Sequence, residues 1–405
     1  MNNTPRANRP HIAIFGRRNS GKSSLINAIT NQDIALVSSQ KGTTTDPVYK
    51  SMEILPLGPV VVIDTAGIDD EGELGELRVK KTLRVLDKTD LAILLLDNEN
   101  NDLSFEKEIL NLIIKKGIPV IGVINKIDLS SPDIKEFENQ LKLKFLMVSA
   151  KTKEGINELK EQIAKKAETI DFEEPAIIGD LINRYDVILH VVPIDKAAPK
   201  GRLILPQVQT IRDVLDHRGI NIVVQDAELD EAIKMFRDKI KIVVTDSQAF
   251  GRIKKIVPDD IYLTSYSILY ARYKGELTEM VKGAKKIKIL NNGDCVLISE
   301  SCTHHRQKGD IGQDQIPKFL EELSGKKLEF EWSSGTTIPE DLSKYKMILH
   351  CGGCMINRKQ MISRINKAKE QDIPIVNYGV FLGLKFDVLD RALDLFPQAK
   401  QIWSS

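Results

Sequence analysis

Between His11 and about Ile170, short apolar runs alternate with longer stretches of mixed character. The runs His11–Phe15, Val60–Ile63, Leu91–Leu96, Val120–Ile124 and Phe145–Val148 predict strands, and the stretches between them predict helices. Such alternation implies a parallel sheet covered by helices. A second series follows, with strands expected at Val187–Val192, Ile220–Val224 and Ile240–Val244 and helices over Gln207–His217 and Ala227–Arg237. In a third, Ile287–Leu290, Cys295–Ile298, Lys346–Leu349 and Pro374–Asn377 predict strands. A long helix is expected beyond Met355, where Ile362, Ile365 and Ala368 recur at three-residue steps. The segment Phe172-Glu173-Glu174-Pro175 marks the first linker. The expected division is three α/β units, residues 1–172, 173–260 and 261–405.

The length, 405 residues, suits three domains of ~150 residues each and is ample for cores without disulfide staples. Lysine and arginine number 58 against 57 acidic residues, so nothing suggests a basic nucleic-acid surface, and no nucleic-acid partner is expected. Four cysteines in so long a chain favour a reducing compartment and metal or redox use. Met1 to Pro10 lacks the apolar core of a signal peptide. No run reaches the ~18 apolar residues of a membrane span. A soluble cytoplasmic protein with no membrane partner is expected.

Gly16-Arg17-Arg18-Asn19-Ser20-Gly21-Lys22-Ser23 matches G-x4-G-K-S, directly after Ile12–Phe15 and before Leu25–Ile29. That is the strand–loop–helix context of a phosphate loop. Glycines let the backbone wrap tightly, so several N–H groups point at phosphate oxygens. Gly16, Asn19, Ser20, Gly21, Lys22, Ser23 and Ser24 are the expected contacts; Lys22 would neutralise the β and γ phosphates, and Ser23 would bind Mg²⁺. Asp64-Thr65-Ala66-Gly67 closes a strand, where Asp64 can hold the Mg²⁺ shell and Gly67 can offer its N–H to the γ-phosphate. Asn125-Lys126-Ile127-Asp128 follows another strand. The Asp128 carboxylate can accept from guanine N1–H and N2–H2, which adenine does not present in that arrangement, and a buried carboxylate left unpaired is costly. The expected nucleotide is therefore GTP. Lys126 would lie over the base, Asn125 would tie loops together, and Ser149-Ala150-Lys151 would complete base recognition through the Ala150 N–H.

On these motifs, in this order, residues from about 10 to 168 resemble GTPases of the Era and tRNA-modification (TrmE-like) type. The resemblance places a first switch at Gly42-Thr43-Thr44-Thr45-Asp46, with Thr44 favoured, and Thr43 or Thr45 the alternatives, for completing the Mg²⁺ shell. Ile68 follows Gly67 where Ras-like GTPases keep the glutamine that orients water, so slow intrinsic hydrolysis is expected. Asn19 resembles the asparagine that coordinates K⁺ in TrmE-like proteins. The resemblance thus implies K⁺ near the β–γ bridge, in place of an arginine finger, with Lys22, Asn19 and Thr44 as candidate catalytic groups. Arg17 and Arg18 are alternative charge donors.

Cys302-Thr303-His304 follows the run Cys295–Ile298, and His350-Cys351-Gly352-Gly353-Cys354 follows Lys346–Leu349. Both groups lie just past strand ends, where an α/β sheet presents its loops. Two ligand pairs on neighbouring loops can close around one metal centre, and Gly352-Gly353 lets both thiolates turn toward one point. Three thiolates suit an iron–sulfur cluster whose fourth iron takes histidine, a carboxylate or an exchangeable group. Three thiolates with one histidine also suit tetrahedral Zn²⁺. His305 beside His304 leaves open which imidazole faces the site. Cys295 is expected in the core, and His11, His190 and His217 are expected to be structural.

Cys-x-His, 45 intervening residues and His-Cys-x-x-Cys, behind a GTPase and a motif-poor central unit, resemble the maturation GTPases of FeFe hydrogenases. The resemblance implies a 4Fe-4S cluster held by Cys302, Cys351 and Cys354, with the fourth position labile or taken by His304 or His350. It also implies a homodimer through the central unit and a di-iron precursor carried transiently to apo FeFe-hydrogenase. Two radical-SAM maturases would build that precursor; this chain has no Cys-x3-Cys-x2-Cys of its own. The leading expectation is a GTP-hydrolysing scaffold for cluster assembly. The alternatives are an RNA-associated GTPase of tRNA modification or ribosome assembly with a zinc-stabilised C-terminal domain, and a redox enzyme using the cluster for electron transfer.

Overall fold

A computed structural model describes residues 5–30, 47–55, 57–65, 75–97, 102–130, 132–169, 175–193, 203–301, 311–335 and 338–405. In the first of its two units, Met1–Glu173, the apolar runs become strands: β1 (His11–Phe15), β2 (Val48–Ile54), β3 (Gly58–Asp64), β4 (Leu91–Asp97), β5 (Val120–Asn125) and β6 (Phe145–Met147). They form one sheet in the order β2-β3-β1-β4-β5-β6. The two faces of the central strands explain why their sequences are apolar throughout. Ala13, Phe15, Val61 and Ile63 pack into one core, whereas Ile12, Ile14, Val60 and Val62 pack into another on the opposite face.

All neighbours in this sheet are parallel except β2 and β3, which run antiparallel with Val48 opposite Asp64 and Ile54 opposite Gly58. No expectation covered β2. It is an edge strand in which only Met52 and Ile54 are buried, with Lys50, Ser51 and Glu53 between more apolar positions, so its apolar signal is weak.

The second unit, Glu174–Ser405, holds two four-stranded sheets. β7 (Val187–Val191), β8 (Ile220–Val224), β9 (Ile240–Thr245) and β10 (Tyr262–Ser265) lie in the order β10-β9-β7-β8. β11 (Cys295–Glu300), β12 (Glu329–Ser334), β13 (Tyr345–His350) and β14 (Ile375–Asn377) lie in the order β12-β11-β13-β14. Both sheets are parallel throughout. The first of them takes in β10 and so runs past residue 260. One continuous core serves both, joining Ile188, Ile242 and Leu263 to Leu297, Ile348 and Val376. The helix Tyr266–Lys274 belongs to that core almost all round: Tyr266, Ile268, Leu269, Tyr270, Ala271, Tyr273 and Lys274 are buried. It touches the helix Leu205–Asp216 as well as the helix Arg358–Glu370 and β14.

The α/β class holds. One expected strand does not: Ile287–Leu290 lies in a 3₁₀ turn, Lys286–Ile289. Alternation would put Ile287 and Ile289 on one face, but Ile287 is 1% exposed and Ile289 68%. The expected helices are present as Leu205–Asp216, Leu229–Phe236 and Arg358–Glu370. Among the described residues no helix is long and apolar enough to cross a membrane.

Candidate nucleotide and cysteine sites

The loop after β1 leads into the helix Lys22–Thr30, whose first N–H groups are available to an anion. Gly21 sits there at φ +94°, and a Cβ on it would overlap Asn125 Nδ2, so only glycine fits. Asn19 is exposed and takes the left-handed region, φ 63°. Lys22 is buried and its ammonium donates to Gly16 O at 2.5 Å and Arg17 O at 2.9 Å. Ser23 Oγ donates to Asp64 Oδ2 at 2.9 Å, so two groups suited to one magnesium shell are already adjacent. Ser20 is buried, whereas Ser24 is exposed on the helix.

Base-recognition residues are tied to the phosphate loop. Asn125 Nδ2 donates to Ser20 O at 2.9 Å, and Asn125 Oδ1 accepts from Ala150 N at 3.0 Å. Ser149 Oγ donates to Asp128 Oδ1 at 2.7 Å, which orients an otherwise exposed carboxylate. Lys126 pairs with Asp97 at 2.9 Å at the end of β4, and Lys151 is exposed. Thr43, Thr44 and Gly67 lie outside the described residues, as does Ile68. Arg17 points to acidic partners: its Nε meets Glu106 Oε1 at 3.0 Å and Nη2 meets Asp102 Oδ2 at 3.3 Å. Burial opposes its charge, but Glu106 and Asp102 outweigh burial and raise its pKa. Its guanidinium is therefore engaged at the helix Ser104–Lys115.

The second candidate site forms where β11 and β13 end. Cys351 N donates to Ser299 O at 2.9 Å. Ser301, which precedes Cys302 in sequence, donates its N–H to Cys351 Sγ at 3.2 Å. Cys351 and Cys354 are free and half-buried. Gly353 between them has φ +66°, a turn that brings the chain back toward the helix Arg358–Glu370. Asn357 caps that helix, its side chain accepting from Gln360 N at 2.9 Å. Cys302 and His304 lie outside the described residues. Among the described residues no group of three or more His, Cys, Asp or Glu could hold a metal ion.

His350 is fully buried and both its ring nitrogens are engaged: Nδ1 meets Cys351 O at 2.6 Å and Nε2 meets Arg364 Nη1 at 2.6 Å. Burial, reinforced by the Arg364 charge, pulls its pKa down to about 3. Burial pushes the Cys354 thiol up, and Cys351 adds to this while Lys274 opposes it. Cys295 is half-buried at the start of β11. His190 is fully buried between Tyr266 Oη at 3.1 Å and Asn221 Oδ1 at 2.7 Å, a structural role as expected.

Two family models cover most of the second unit: the hydrogen maturase F dimerization domain matches residues 177–275, and the hydrogen maturase F tetramerization domain matches residues 278–395. Together they span more than half of the chain. The chain belongs to the hydrogen maturase F family. Its first unit matches a third model, the 50S ribosome-binding GTPase, over residues 11–126. This member of the hydrogen maturase F family is also 35% identical over 178 residues to GTPase Der of Wolinella succinogenes, covering 41% of this chain and 38% of that protein. It is 37% identical over 156 residues to the tRNA modification GTPase MnmE of Legionella pneumophila, covering 38% and 33%. The chain thus spans well under half of the length of these relatives. The G domain of the T. maritima FeoB iron transporter aligns with a TM-score of 0.31 at 27% identity, covering 39% of this chain and 99% of that one.

Two residues beside the hydrogen maturase F cysteines escaped the sequence reading. Lys274, 1% exposed, donates to Ile356 O at 2.8 Å and Cys354 O at 3.3 Å. Arg364, 4% exposed, donates to Ser301 Oγ at 3.2 Å and Gly335 O at 2.9 Å besides His350. Lys274 leaves no local signal. Arg364 does: it shares the buried stripe of its helix with Met361, Ile365 and Ala368, where a charged residue is out of place.

Proposed function

We propose that this protein is a GTP-hydrolysing scaffold for assembly of the FeFe-hydrogenase active-site cluster. In this reading Cys302, Cys351 and Cys354 hold a 4Fe-4S cluster, and a di-iron precursor passes through the protein to apo FeFe-hydrogenase. The observation that carries it is the approach of Ser301 N to Cys351 Sγ at 3.2 Å, which brings the residue before Cys302 against a sulfur 50 positions away. The thiol chemistry fits the cluster. Both cysteines are free, a backbone N–H is aimed at one sulfur, and cationic side chains adjoin them. A bound cluster would supply an iron not fully ligated by thiolate, to which the cargo can attach. Because both His350 nitrogens are engaged, the fourth ligand would be His304, a carboxylate or an exchangeable group.

GTP would bind with Mg²⁺ held by Ser23, Asp64 and Thr44, and guanine would be read by Asp128 and the Ala150 N–H. Gly16, Ser20, Gly21, Lys22, Ser24 and Gly67 would surround the phosphates, with Thr43 alongside. Asn125, Lys126, Ser149 and Lys151 would frame the base. Arg17 is tied to Glu106 and Asp102, which favours Asn19 with K⁺ as the source of charge near the β–γ bridge. Nucleotide state would change affinity for the two radical-SAM maturases, to the extent that a partner binds the two states differently.

Self-association would use the parallel sheet β10-β9-β7-β8. β8 is an open edge with Ile220 and Val223 43% and 46% exposed, and Val208 and Leu215 expose one face of the adjoining helix. The test of the whole reading is transfer. Protein loaded anaerobically with cluster and di-iron precursor should activate apo FeFe-hydrogenase, and the Cys302→Ala protein should not. Activation by the variant at the wild-type level would end the proposal.

A further inference from the structure

We propose that Arg364 is a positioning residue for the cluster: it holds His350 as a hydrogen-bond relay to Cys351 and sets a fixed positive charge that favours the reduced cluster. The inference rests on the iron–sulfur reading above and adds to it a role for two side chains.

The hydrogen-bond chemistry forces the tautomer of His350. A guanidinium only donates and a peptide carbonyl only accepts. His350 Nε2, 2.6 Å from Arg364 Nη1, must therefore be the acceptor. Its Nδ1 must carry the proton and donate to Cys351 O, 2.6 Å away. Neither nitrogen then has a lone pair to offer iron. The ring instead connects Arg364 to the backbone of Cys351, fixing the peptide that carries one sulfur ligand, much as outer partners orient metal ligands elsewhere.

Arg364 itself is a buried charge in neutral company. It is 4% exposed, and its acceptors are Ser301 Oγ, His350 Nε2 and Gly335 O. Its Nε has no hydrogen-bond partner. Among the described residues no carboxylate pairs with it; the one group whose charge supports the guanidinium is Cys351. A cation kept in such a place is costly without an anion. Three thiolates outweigh the cationic core of an oxidised 4Fe-4S cluster by one charge, and uptake of an electron doubles the excess. Arg364 is placed to offset that charge, and the offset is larger in the reduced state. Lys274, donating to Cys354 O and Ile356 O on the other arm of the same loop, adds to the positive field. A merely structural Arg364 would hold the loop without moving the potential.

The experiment uses the full chain, reconstituted anaerobically with ferrous iron and sulfide, for wild type, Arg364→Lys and Arg364→Met. Iron and sulfide are assayed, and the midpoint potential is read by redox titration with electron paramagnetic resonance. Arg364→Met should keep a cluster whose reduced form is at least tenfold less favoured, a negative shift of about 59 mV for one electron. Arg364→Lys, which keeps the charge, should shift by less than half as much. Equal potentials in wild type and Arg364→Met overturn the inference. If Arg364→Met does not fold, Arg364→Gln, whose amide can still donate to Gly335 O, replaces it under the same criterion. Nitrogen hyperfine coupling present in wild type and lost in His350→Gln would show His350 to be an iron ligand and would overturn the relay. Wild-type protein that takes up no iron–sulfur cluster would overturn the scaffold reading itself, and this inference with it.

Discussion

At the nucleotide site, the groups expected to meet a ligand already bond to one another: Ser23 to Asp64, Asn125 to Ser20 and Ala150, Ser149 to Asp128. At the cysteine site, neither described thiol is in a disulfide, and among the described residues the guanidinium behind them has only neutral acceptors. Both sites stand at the carboxyl ends of parallel strands, so topology does not separate them. Electrostatic completeness does. A cradle whose side chains largely pair with one another, Ser20 Oγ excepted, can release and rebind its ligand at modest cost, which suits a nucleotide that turns over. A buried cation with no carboxylate partner among the described residues is better compensated with an anion in place, which would suit the proposed cluster.

The sharpest way to break this contrast is Cys351→Ala. Reconstituted protein should then fall to a small fraction of wild-type iron and sulfide while GTP turnover persists. Equal iron content in mutant and wild type would mean that the cluster lies elsewhere. At the nucleotide site, Asp128→Asn replaces an acceptor with a mixed amide and should weaken GTP binding by on the order of 10²–10³-fold. Isothermal titration would measure this, and xanthosine triphosphate should gain in relative affinity. Gly21→Ala meets both a left-handed φ and Asn125. It should lower first-unit stability by roughly 1–3 kcal/mol, read as a denaturation midpoint, with cluster content unchanged.

The smallest effect concerns pH. His190, buried and neutral, titrates near pH 4 in the folded chain against an ordinary value of 6.5. The unfolded chain therefore binds more protons across that window. The His190 contribution is complete above about pH 6.5 and is lost as pH falls toward about 4. From pH 7 to 5.5 it should amount to roughly 1 kcal/mol, visible as a lower melting temperature. His190→Gln should flatten that part of the slope, and an unchanged slope would place the proton uptake elsewhere.

The nucleotide site was legible because its chemistry is contiguous: Gly16 to Ser23, Asn125 to Asp128 and Ser149 to Lys151 each lie on one loop after one strand. The cysteine motif is local for the same reason, its two pairs each lying just past one strand. The surroundings of the cysteines were not legible. Lys274 and Arg364 reach the loop only because the helices Tyr266–Lys274 and Arg358–Glu370 pack beside it, a contact that no local pattern encodes. The role expected of His350 met a similar limit, since spacing identifies an imidazole but not what occupies its nitrogens. Among the strands, β12 went unseen because an edge strand reading Glu-Phe-Glu-Trp-Ser-Ser is half exposed and lacks a continuous apolar run.

The single apolar interior shared by β7–β10 and β11–β14 has a thermodynamic consequence. Elements that draw on one interior melt together rather than in sequence. Docking of a second copy along β8 would then raise the melting temperature of the cysteine loop as well, by mass action alone and without touching it. Dilution would be felt as heat sensitivity at Cys351 and Cys354.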